Sequence, residues 1–84
     1  MTLHILSKDV DNFLKLKSIR EDVRIRYLVI LAIFSSWYVE EDYPTNAPQK
    51  YDEYLKNMGT NIGLRVESRI IIKEFLEWIE NGRF

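Results

Sequence analysis

The chain has 84 residues, of which 46% are hydrophobic and 30% charged, with a formal net charge of −1. That composition is globular rather than disordered, and the length suits a single domain near the lower limit for a self-sufficient core. The absence of cysteine excludes a disulfide framework and a thiolate metal site, and the near-neutral balance lacks the basic excess of a typical nucleic-acid-binding domain.

The first residues, Met1 to Asp9, carry no basic leader and meet charge at Lys8, so no signal peptide is expected and a cytoplasmic protein is. Val10, Phe13 and Leu14 stand at helical spacing, predicting a first helix with Ser7 as N-cap and an end near Lys17. Asp9 and Asp11 then sit where the helix dipole favours acid. Ser18 and Glu21 have the spacing of a capping box, which would open a second helix reaching about Glu40.

That helix contains a run of 13 uncharged residues, Tyr27 to Val39, shorter than the ~20 residues needed to span a bilayer. The stretch Val29–Ile33 is rich in β-branched residues, but the segment has no turn residue for longer than one strand runs. The expectation is a helix, central in the fold because it is apolar on nearly every side. Pro44 and Pro48 then break the helical pattern. Pro48 fits the first turn of a third helix, Gln49 to Met58, with Tyr51, Tyr54, Leu55 and Met58 on one face and Gly59 as its stop. A connector over residues 60–63 leads to a fourth helix, Leu64 to Glu80. Its stripe of Leu64, Ile71, Ile72, Phe75, Leu76, Trp78 and Ile79 opposes Glu67, Glu74, Glu77 and Glu80. The fold class is therefore all-α: one domain over residues 1–84, a small antiparallel bundle of three to four helices around a very apolar central one.

No catalytic signature is present. His4 has no acidic or hydroxyl partner at helical spacing, Ser35 and Ser36 lie in the apolar run without a nearby base, and no nucleophile elbow exists. Gly59, Gly63 and Gly82 form no phosphate-cradling loop. An enzyme is not expected, and neither is a cofactor or a small-molecule substrate. Glu40, Glu41 and Asp42 lack the spacing of a calcium loop, so no metal site is expected.

Two charged clusters remain. Residues 1–26 carry six basic and four acidic groups, and Lys17, Arg20, Arg24 and Arg26 surround the first helix junction, where a helix-turn-helix would meet phosphates. The apolar character of the second helix argues against base reading, which leaves a small DNA-binding regulator as the alternative. Residues 40–53 carry five acidic groups and only Lys50. Three of these, Glu40, Glu41 and Asp42, close a helix against its dipole, where stability alone would not place them. With Asp52 and Glu53 one loop later, and Tyr43, Tyr51 and Tyr54 interleaved, they have the composition of a protein-binding surface for a basic partner. A subunit of a larger assembly is a third possibility, which would present an exposed apolar face and self-association.

The segment Gly63-Leu-Arg-Val-Glu-Ser-Arg-Ile-Ile-Ile-Lys-Glu-Phe-Leu76 resembles the last helix of the colicin D immunity protein family, and Ile72-Lys-Glu-Phe-Leu-Glu-Trp78 is similar to the final helix of DNase-colicin immunity proteins. The resemblance covers under a fifth of the chain and carries over no binding residue. It implies a small helical inhibitor that covers the basic surface of a nuclease toxin with carboxylates, a description that a phage-encoded inhibitor of a host protein would share.

Overall fold

The structure is a computed structural model and describes residues 4–83. It contains four helices, α1 Asp9–Lys15, α2 Glu21–Glu40, α3 Ala47–Asn57 and α4 Ile62–Glu80, and no strand among the described residues. The expected all-α bundle is present, with α1 reduced to two turns. Its helices form a flattened body with extents of 33 × 32 × 17 Å.

The helix starts differ from the predicted ones. Neither Ser7 nor Ser18 caps: the N-cap positions fall on Lys8 and Arg20, and neither side chain makes a capping bond. At α1 the work is done by Asp9, a residue later and 2% exposed. Its carboxylate accepts from the Leu6 amide at 2.7 Å and from the Arg83 guanidinium at 2.8 and 3.1 Å. The charge is neutralised inside the fold instead of being left to solvent. At α2, Arg24 donates to the carbonyls of Leu14 and Lys17 at 2.6 and 3.3 Å, closing the end of α1 from the neighbouring helix. The fourth helix begins two residues early because Asn61 accepts from the Leu64 amide at 2.8 Å, a side-chain cap that turns the expected connector into a first turn. The third begins at Ala47 with Pro48 in its first turn.

The helix ends share one device. In α2, α3 and α4 the chain leaves through a residue of positive φ (Asp42, Gly59 and Gly82). The next amide reaches back five residues: Tyr43 to Tyr38, Thr60 to Leu55, Arg83 to Trp78. This is the Schellman arrangement, which satisfies the last carbonyls of each helix.

The core is aromatic. Phe34 and Phe75 are fully buried, as are Leu31 and Ile72. Phe34 meets Tyr51 edge-on at 5.2 Å, and Phe75 meets Phe13 at 5.3 Å. One helix thus contributes Phe34 to α3 while another contributes Phe75 to α1, and each ring pair adds to its burial.

One expectation is corrected. The second helix touches all three others, yet it is not buried on every side. Ile30, Leu31, Phe34, Trp37 and Tyr38 face inward, while Ile25, Leu28, Val29, Ala32, Ile33, Ser36 and Val39 are exposed. With only three neighbours in a flat body, they cover one face, and the apolar run leaves its other face in solvent. Phe34→Ala is expected to cost about 3–5 kcal/mol, measured by denaturant unfolding, because its neighbours on α2 and α3 cannot collapse into the space.

Candidate functional site: an acidic end with an aromatic floor

The loop between α2 and α3 is built on backbone that few side chains adopt. Asp42, Tyr43 and Asn46 all have positive φ, at 59°, 56° and 53°. Asparagine and aspartate tolerate this region better than most residues, whereas tyrosine does not. Tyr43 is held there by its neighbours: its ring packs edge-on against Tyr38 at 5.4 Å and against His4 at 4.5 Å. His4, which has no partner at helical spacing in the sequence, is thus an exposed residue that leans on this loop.

The loop brings two of the expected groups together. Glu41, at the end of α2, and Glu53, in the second turn of α3, line one shallow concavity with Lys50 and Tyr54, over Trp37 and Pro44. Glu40 and Asp42 are exposed beside it. The other side of the loop faces the end of α4, where Tyr43 and Pro44 share a second concavity with Lys73, Glu77 and Glu80. Glu77 and Glu80 are therefore part of the same acidic end, although helical periodicity assigns them only to the outer side of α4. Their one sequence signal is shared composition: α2 and α4 both close without a basic residue in the last turn. Glu40, Glu41, Asp42, Glu53, Glu77 and Glu80 form no ion pair among the described residues.

Two of the expected contact residues are used otherwise. Tyr51 is 3% exposed and lies in the core between Phe34 and Trp37, so it supports the surface from below and cannot anchor a partner. Burial, and then the neighbouring Tyr54, push its hydroxyl above the usual tyrosine range. Asp52 is paired: Arg65 of α4 grips both its oxygens, at 3.1 and 3.0 Å, in a fork that locks α3 to α4. Tyr54 remains 39% exposed, stacked on Tyr51 at 5.8 Å, and is the aromatic group available at the surface.

Each member of the basic cluster has a partner within the chain. Lys17 pairs with Glu74 of α4, Arg26 pairs with Glu67, and Arg20 meets Asp22 at 3.1 Å. Arg24 is turned into the α1 carbonyls. Among the described residues no group of three or more acidic or histidine side chains is arranged to hold a metal ion, and no helix is long and apolar enough to cross a membrane. Comparison with family models, with curated proteins and with solved structures finds no match to this chain.

The hydrogen bond from Arg65 holds the Asp52 carboxyl below its usual range against the opposing effect of burial, aided by the charges of Arg65, Arg69 and Lys56. A depressed carboxylate contributes stability above its unfolded value of ~3.9 and loses it as pH falls through the lower folded value. Asp52→Asn is therefore expected to be less stable than the parent at pH 7, and the difference should vanish in acid once the parent carboxylate is protonated. Thermal melts across that range check it. Asp42→Gly is expected to raise stability by about 1 kcal/mol, since glycine accepts the left-handed conformation without a Cβ clash; chemical denaturation measures it.

Proposed function

We propose that the chain is a non-enzymatic protein-binding inhibitor of the immunity or antitoxin kind, which neutralises a basic partner such as a nuclease toxin. One observation carries this reading. Carboxylates elsewhere in the fold, Asp9, Asp52, Glu67 and Glu74, are matched to a cation from a different helix or chain end. The six at the acidic end are left unpaired around a loop of strained backbone. A fold that pairs its carboxylates so consistently elsewhere gains no stability from gathering free ones, five of them at or beside helix C-termini; what they supply is attraction for a positively charged surface.

The contact surface is Glu40, Glu41, Asp42, Glu53, Glu77 and Glu80, with Tyr54 and the edge of Tyr43 as aromatic groups. Tyr51 and Asp52 hold it in shape. Its partner is a protein with exposed arginine or lysine, drawn in by long-range attraction and then fixed on the tyrosines. The partial resemblance of the α4 segment to colicin D-type immunity proteins points the same way. A DNA-binding role for Lys17, Arg20, Arg24 and Arg26 has no comparable support, because the four form no unpaired basic patch: each has an acidic or carbonyl partner in the chain.

The test immobilises the chain, exposes it to lysate of the source cells and washes from low to high salt. The expected result is a basic protein held at low salt and released at high salt. Against that purified partner, Glu41→Lys with Glu53→Lys should slow association about tenfold at low salt and far less at high salt. Retention unaffected by either the substitutions or salt would exclude this surface.

A further inference from the structure

The outer face of α2 is a second surface, which meets the acidic end at Glu40. Ile25, Val29, Ala32, Ser36 and Val39 recur at spacings of four and three along it, flanked by Leu28 and Ile33. Ile25, Leu28, Val29, Ile33 and Val39 are each about half exposed, between 46% and 54%. No charged side chain interrupts this seam; its nearest charged residues stand at the ends. A four-three repeat is the seam of a helix that packs along another helix, and an uninterrupted apolar face of this kind is the mark of an interface.

The charges at the ends identify the occupant. Arg26 and Glu40 lie on one flank of the seam, each seven residues from Ile33, and both are exposed. The start of α2 has Arg20 at its N-cap and Arg24 and Arg26 in its first turns, where Glu21 and Asp22 pair with Arg24 and Arg20, so Arg26 is the cation that faces this flank; the last turn has no basic residue. We infer that α2 pairs with α2 of a second copy of this chain, antiparallel, about a two-fold axis near Ala32 and Ile33. That axis sets Arg26 of each copy opposite Glu40 of the other, and Ile25 opposite Val39. It also sets each acidic helix end beside the positive dipole end of its neighbour, which offsets the unfavourable placement of those carboxylates. A parallel pairing would instead stack the Glu40–Asp42 triplets of both copies on one another. Arg26 already holds Glu67, and a guanidinium with five donors serves both. Ala32 and Ser36 are small, so the backbones approach closely at the axis. The interface is isologous and closes at two copies.

Sedimentation equilibrium at about 100 µM is expected to give the mass of a dimer, and Val29→Glu or Ile33→Glu the mass of a monomer with unchanged helical circular dichroism. The absence of cysteine permits a geometric test on the full chain. Ala32→Cys should cross-link to itself on oxidation, and Ile25→Cys should not. A mixture of Ile25→Cys and Val39→Cys chains should give the mixed dimer. A monomer at the highest concentration would overturn the proposal. So would a dimer that survives both glutamate substitutions, or self-cross-linking of Ile25→Cys as efficient as that of Ala32→Cys, which would indicate a parallel pair.

Discussion

The fold depends on Phe34. It is fully buried in the middle of the longest helix, and its ring contacts Trp37 and Tyr38 from its own helix and Tyr51 from α3. In a body only 17 Å thick there is no room for a second layer of core behind it. The aromatic contacts must therefore do what volume does in larger domains. The same ring cluster forms the underside of the acidic end, since Trp37 and Tyr51 carry Tyr54 and the loop that holds Glu41 and Glu53 in place. Stability and the candidate site are thus two sides of one cluster.

The acidic end also shows where the chain accepts strain. Three helices leave through the same turn; two use glycine at the left-handed position and the third uses Asp42. Tyr43 follows in the same region and is secured by its ring contacts with Tyr38 and His4. An exit made of glycine would hold the helix with less strain but would present neither a carboxylate nor a ring. Side chains accepted against backbone preference are a frequent property of surfaces that are selected for contact as well as for folding.

Much of the architecture was legible in the residues. Helical spacing placed four helices, and the prolines and Gly59 marked their limits; of the acidic groups on either side of the proline loop, Glu41 and Glu53 share one concavity. At α1 the sequence misled because the partners are tertiary: Asp9 is satisfied by Arg83 and the end of α1 by Arg24, which no local pattern indicates; at α4 the overlooked signal was local, the Asn61 cap. Tertiary partners likewise took Asp52 and Tyr51 away from the acidic end, one drawn to Arg65 and the other to Phe34. Glu77 and Glu80 were missed because their proximity to the loop is set by how α4 crosses the body. Helix α2 was misjudged for a simpler reason. An apolar run shows that a surface wants covering, and it does not say whether the cover comes from the same chain.

The clasp between Asp9 and Arg83 joins residues 74 positions apart. During synthesis, α1 can form its turns early, but the buried carboxylate at its start has no cation until residue 83 has left the ribosome. Until then Asp9 stays hydrated and the face of α1 that bears Phe13 has no settled seat against Phe75. The earliest of the four helices is thus the last to be locked, and the chain remains open at that edge until residue 83 is free to reach it.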